Sequence, residues 1–227
     1  MKLFNTPLRK IAGSLLAGAC LAGSAYADVQ VREASLGNGY KTTSLQLPVA
    51  SSAQNYWSGF QNIEVVNGSS TSSFSAFCVD PFQYSSGGLS PYTIGDFSSF
   101  FGTRTGAITQ LYNNAYEGTL GTTDANKKNA AAFQLALWEL ANDNGILASG
   151  DVSVTGSTVS WLRPAAQTLL DGIGQHASSS RYNFTFYRSA TQQDFLVATP
   201  VPEPGTYAMF LAGLGLMAGI ARRRRAS

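Results

Sequence analysis

Two apolar segments flanked by basic residues bracket this 227-residue chain, and they confine what can fold as a water-soluble unit to the stretch between them. The first has Lys2, Arg9 and Lys10 at its start, an apolar run over residues 11–23, and Ala25-Tyr26-Ala27 after it. A charged start, a short apolar core and a small-residue cleavage site are the three parts of a secretory signal peptide, so residues 1–27 are expected to be removed by signal peptidase. The run is short for a membrane-spanning helix. A lipoprotein signal centred on Cys20 fits poorly, because in Leu16-Ala17-Gly18-Ala19-Cys20 the leucine lies one place too far from the cysteine.

At the other end, Val201-Pro202-Glu203-Pro204-Gly205 leads into an apolar stretch, 206–221, which is followed by Arg222, Arg223, Arg224 and Arg225. A short apolar segment capped with positive charge would stop in the inner membrane with its tail in the cytoplasm. The order Pro-Glu-Pro, apolar helix, arginine cluster resembles the PEP-CTERM sorting signal of exopolysaccharide-producing Gram-negative bacteria. The resemblance implies a transient inner-membrane anchor through 206–221, cut near Pro202, Glu203 and Pro204 by a membrane protease of the exosortase type. It also implies a final place at the cell surface or in the extracellular matrix. A plain C-terminal anchor, the bland alternative, does not need Pro-Glu-Pro at its border.

Between these segments the charge changes sign. The chain carries 15 basic and 13 acidic residues, but seven of the basic ones sit in the two end segments. The remaining eight basic residues face 12 acidic ones, Glu203 lying in the C-terminal segment, so no basic face is available for nucleic acid. Residues 28–199, with no internal repeat or long linker, are expected to form one domain, with 200–227 as the sorting signal. Alternating segments at 29–33, 43–47, 60–66 and 74–79 predict strands, with turns at Gly37-Asn38-Gly39 and Asn67-Gly68. Residues 107–116 and 130–142 carry helical periodicity, the second after the polar stretch Asp124-Ala125-Asn126. Alternation returns over 152–160, a helix with Pro164 in its first turn is expected over 161–176, and 182–187 and 194–198 read as closing strands. The predicted class is α+β, a β-sandwich or barrel-like set of strands enclosing a helical segment.

Once Cys20 leaves with the signal, Cys78 is the lone cysteine of an exported domain, so no disulfide can form within it. Alternation puts Cys78 on the same strand face as Phe74 and Ala76, where a buried thiol can serve as a small apolar filler. The 130–142 helix offers a second reading. Its apolar stripe, Ala130, Phe133, Leu137, Trp138, Leu140 and Ala141, contains Gln134, and a buried amide left unpaired costs about 1–3 kcal/mol. Loop carbonyls could satisfy that glutamine. Alternatively, attack of the Cys78 thiolate on the Gln134 amide, with loss of ammonia, would leave an internal thioester and no polar group to bury.

Phe77-Cys78-Val79-Asp80 and Phe133-Gln134-Leu135-Ala136-Leu137-Trp138 resemble the Cys and Gln motifs of the thioester domains of bacterial surface adhesins. The resemblance spans about residues 60–200. It implies that Cys78 and Gln134 are the thioester partners, with Trp138 packed around the bond and Phe77 and Asp80 flanking the cysteine. Phe133 stands where those domains often have threonine. The implied chemistry is covalent adhesion without turnover: a surface amine attacks the acyl carbon, and an amide through Gln134 remains. Tyr112, Tyr116 and Glu139 are possible supporting groups. The alternative is a structural or glycan-associated matrix or envelope protein whose Cys78 is an inert free thiol.

Other chemistry fares worse. A Cys–His enzyme would need Cys78 and His176, the one histidine, which stands before the loop-like Ala177-Ser178-Ser179-Ser180. One Cys and one His make no closed zinc site, and Asp124, Asn126, Asn142, Asp143, Asn144 and Asp151 do not make the spaced oxygen-ligand loop of an EF-hand, which leaves calcium open; no metal or cofactor is assigned. The expected partners are the processing proteases, then surface amines or the exopolysaccharide matrix.

Overall fold

The first strand is long enough to serve three neighbours. In the computed structural model, which describes residues 28–47, 54–154, 160–174, 179–202, 212–214 and 216–217, β1 (Asp28–Gln46) pairs along its length with β2 (Gln54–Asn67). Its start also pairs with β4 (Ser90–Gly95) and its end with β5 (Ser153–Val154). With β3 (Ser70–Cys78), β6 (Tyr182–Arg188) and β7 (Phe195–Pro200), the order β2-β3-β7-β6-β4-β1 closes on itself through the β1–β2 pairing. All the pairings are antiparallel, so the ring has no open edge along that circuit, and β5 extends it on the far part of β1. The α+β class expected from the sequence is found, in its barrel-like form.

Gly37-Asn38-Gly39 is not a hairpin turn. It lies inside β1, where the register against β2 shifts between Leu36 and Gly39. Gly39 opposes Gly59, and a Cβ on either would meet a carbonyl oxygen of the other strand at about 2.1–2.2 Å, so the strands approach this closely only because both are glycine. The Asn38 side chain meanwhile donates to the carbonyls of Thr119 and Gly121, tying the bulge to the helices. Asn67-Gly68 does turn the chain, with Gly68 at φ 59° between paired Asn67 and Ser70.

Among the described residues, the middle of the chain forms the α-helices α1 (Phe97–Phe101), α2 (Thr105–Thr119), α3 (Asp124–Asn142) and α4 (Leu162–Asp171). The sequence reading missed β4 and α1, short segments with little periodicity. It also started α3 six residues late, because polar residues mask the helix start. Thr123 caps it, accepting from the Asn126 N–H while Asn126 returns a bond to the Thr123 N–H, a capping box that uses Asn in place of Glu. The expected strand over 152–160 is reduced to Ser153–Val154, with 155–159 outside the described residues, and α4 ends at Asp171 rather than near 176.

The two sides of the strands feed two cores. Val29, Val31, Ile63, Val65, Ala76, Tyr92, Tyr187, Phe195 and Val197 form one cluster within the ring. The alternate residues Phe77, Phe186, Leu196 and Ala198 join the helices in a larger one. From Ala130 to Glu139 every residue of α3 is buried, which is the pattern of a helix covered on all sides rather than of a one-sided amphipathic helix. This buries Gln134 and sets it against the end of β3.

Candidate functional site

Strand β3 outlives its partner β2. Their last paired residues are Ala76 and Gln61, after which Cys78 has β7 on one side, opposite Phe195, and no strand on the other. The Gln134 side chain fills the gap. Its Oε1 accepts from the Cys78 main-chain N–H at 3.1 Å, and its Nε2 donates to the Cys78 carbonyl at 2.6 Å. The amide thus supplies both bonds that a neighbouring strand would have made, and a buried backbone donor and acceptor are satisfied. Structure and sequence agree on this juxtaposition: two residues 56 positions apart meet, and both are buried.

Cys78 sits where the two cores join. It lies on the Ala76 side of β3 by alternation, yet its neighbours belong to the helix-side core. The thiol donates to the Asp80 carbonyl at 3.1 Å. Burial pushes the thiol well above its usual range. The Asp80 and Asp194 carboxylates add to the rise, while the Trp138 indole and the Asp80 main chain act on the sulfur in the opposite direction. A free Cys78 is therefore a protonated thiol at neutral pH and a weak nucleophile.

Gln134, Trp138 and Asn142 succeed one another at intervals of four on α3, so they share a face. All three address the end of β3. Trp138 is buried, and its indole N–H has no hydrogen-bond partner. The Asn142 side chain donates to the Val79 carbonyl and to the Trp138 carbonyl, each at 2.9 Å. The sequence reading did not set Asn142 beside Cys78, although its four-residue offset from Trp138 is a readable signal.

The two residues that flank Cys78 have different surroundings. Phe77 points away from the sulfur, with ring centroids 4.5 Å from Phe133 and about 6 Å from Phe60, Tyr112 and Tyr116. Phe133, the departure from threonine, completes this aromatic cluster. The Asp80 carboxylate accepts from the Phe82 N–H at 2.8 Å and shapes the loop after β3. Tyr112 and Tyr116 line the Phe77 side. Glu139 holds the loop after α3, its Oε1 accepting from the Gly145 and Ile146 N–H groups at 2.9 and 2.8 Å while Oε2 has no partner. Burial raises its carboxyl to about 7.

Asp194 was not anticipated. Its carbonyl accepts from the Val79 N–H at 3.0 Å, and its carboxylate accepts from Ser189 at 2.8 Å and lies 4.0 Å from the Arg188 guanidinium. Burial first, and the nearby Asp80, raise this carboxyl to about 6. Asp80, Asp194, Asn142, Arg104 and Arg188 line a cleft of about 470 Å³ whose wall includes Val79, the residue next to Cys78. His176 lies outside the described residues, as do Ala25 and Ala27, Glu203 and Pro204, and the four arginines. Pro202 is described and exposed. Among the described residues no group of three or more His, Cys, Asp or Glu side chains is arranged to hold a metal ion.

The family model of the PEP-CTERM protein-sorting motif matches residues 200–225. The chain therefore carries that sorting motif, which implies export and handling by an exosortase-type system. No helix among the described residues is long and apolar enough to cross a membrane, and of 206–221 only 212–214 and 216–217 are described. No curated protein matches the chain in sequence.

Among solved structures, the chain is similar to the N-terminal domain of the Streptococcus pyogenes pilus tip adhesin Cpa. The identity is 15% over 80% of this chain and 97% of that one, with a TM-score of 0.43. It is also similar to the N-terminal thioester domain of a Clostridium perfringens surface protein, at 11% identity over 77% and 99%, TM-score 0.45. A thioester domain from Enterococcus faecium gives 12% over 77% of each chain and 0.36. These likenesses are distant, and the chemistry of the site stands on this chain's own residues.

Proposed function

We propose that this is an exported surface or matrix protein, sorted through its C-terminal motif, that attaches covalently to an amine-bearing target through a Cys78–Gln134 thioester. One observation carries the reading: the Gln134 amide is clamped, buried and in register, against the residue whose sulfur would attack it. Attack of Sγ on the amide carbon breaks the carbon–nitrogen bond, and Nε2 leaves as ammonia with the proton from sulfur. The Nε2 bond to the Cys78 carbonyl is lost, but Oε1 can keep its bond from the Cys78 N–H. That N–H then polarises the acyl carbonyl as an oxyanion-hole donor does. Capture of a primary amine forms an amide and releases the thiol. The step is used once and has no turnover.

A second reading uses the same contacts. If the glutamine only completes the sheet, and the protonated thiol only packs, the protein is a structural or non-covalent matrix component. The intact mass of the purified protein, before and after methylamine, separates the two. A mass short by one ammonia, raised by one methylamine on treatment with a thiol newly exposed at Cys78, supports covalent capture; Cys78→Ala and Gln134→Ala each abolish it. The full mass with a free thiol from the outset overturns the reading.

A further inference from the structure

Strand β7 joins two ends of the domain. Its first residue, Phe195, lies opposite Cys78 of β3, and its last, Pro200, lies opposite Tyr182 of β6. The pairing runs one residue further, because the Val201 N–H donates to the Arg181 carbonyl at 2.8 Å. Six residues separate Phe195 from Val201, so the strand sets the Cys78 end about 20 Å from the point where the C-terminal motif leaves the fold. Around that exit lies a cleft of about 380 Å³, with Glu117, Arg181, Tyr182 and Pro202 in its wall. Arg181 Nη2 pairs with Glu117 Oε1 at 2.6 Å, which ties the exit to α2, and Val201 and Pro202 are exposed there.

The apolar stretch begins at Thr206, five peptide steps after Val201, a reach of at most about 18 Å. Crossing the polar headgroup layer takes up about 5–7 Å of it. What is left, roughly 11–13 Å, is shorter than the distance along β7 from the exit to Cys78. Resting on the sorting reading, in which 206–221 enters the membrane, we propose that the uncut protein is seated on the bilayer by the face around Glu117, Arg181 and Pro202, with Cys78 and Gln134 held at the far end. Arg181 and Glu117 offer that surface one charge of each sign, which matches the phosphate and ammonium of a zwitterionic headgroup. The amine captured at Gln134 is then carried by a molecule or surface beyond the domain. It is not the amine of a phosphatidylethanolamine in the membrane that anchors the chain.

The uncut chain, residues 28–227, can be reconstituted in phosphatidylcholine vesicles that contain phosphatidylethanolamine and a lipid with a nitroxide on its headgroup. One bimane fluorophore is attached to the Cys78→Ala chain, through Ser179→Cys beside the exit or through Thr191→Cys in the turn leading into β7, both exposed positions. Quenching is expected to be at least about threefold stronger at 179 than at 191, as a separation near the length of β7 requires. Equal quenching, or stronger quenching at 191, overturns the inference. So does a chain that fails to float with the vesicles, which removes the anchor as well. The native chain on the same vesicles is expected to take up methylamine from solution and to show no phosphatidylethanolamine adduct by intact mass. A lipid adduct overturns the seating, whereas a full mass with a free thiol removes the thioester reading and leaves the quenching result standing. If the Cys78→Ala chain does not fold, the same reporters go into the native chain, whose Cys78 is buried.

Discussion

Phe77 and Cys78 are consecutive residues of one strand with opposite surroundings. Phe77 packs among the rings of Phe60, Tyr112, Tyr116 and Phe133, as an ordinary core residue does. Cys78 meets a glutamine amide and lies near two carboxylates, in a space just as dry. The first side is built for stability. The second gathers polar groups that a core would ordinarily avoid, and such local exceptions mark a functional site.

That contrast can be broken from the Phe77 side first. Phe77→Ala should cost about 3–5 kcal/mol in urea unfolding, because it empties the centre of the aromatic cluster; a loss well below 1 kcal/mol would mean that the cluster is not the keystone described. Gln134→Ala is next, at roughly 2–4 kcal/mol, since it opens a small cavity and strands the Cys78 N–H and carbonyl. Gln134→Glu should retain more stability than the alanine variant while forming no thioester, readable by intact mass.

Glu139 sharpens the comparison through pH. Its carboxyl is raised from about 4.5 to about 7 in the folded state, so the fold binds that proton more tightly than the unfolded chain does. Stability should therefore fall as pH rises between those values, with Asp194, raised to about 6, contributing in the same direction over the lower part of the range. Glu139→Gln should flatten the decline, recovering roughly 1–3 kcal/mol at the alkaline end; thermal midpoints across that pH range check it. Smallest is Cys78→Ala, expected to cost only about 1 kcal/mol in stability while removing all amine capture. A stability loss as large as that of Phe77→Ala would make Cys78 a packing residue and erase the contrast.

Much of this was legible before any coordinates. Strict alternation marked parts of β1 and β2, the end of β3, and β6 and β7. Gln134 stood out because an amide inside an apolar helical stripe needs a partner. What misled was local chemistry with two uses. Gly37-Asn38-Gly39 has the composition of a turn, but the glycines serve a close crossing of β1 over β2. The start of α3 is polar because its first turns face water, so periodicity alone began the helix too late. Asp80 meets the sulfur through its main-chain carbonyl, while its carboxylate accepts from the Phe82 N–H.

By itself the sequence determined the sorting tail, the presence of one cysteine in the folded stretch, the α+β alternation and the pair Cys78 and Gln134, because each is written in residue type, order or period. Only the tertiary structure decided that the strands close into a ring, and that β2 leaves β3 two residues before Cys78. It alone decided that Asn142 and Asp194 converge on the same strand end and that the Gln134 amide takes the place of a missing strand beside Cys78. Those outcomes depend on which backbone groups lack a neighbour after packing, and periodicity along one chain carries no record of that.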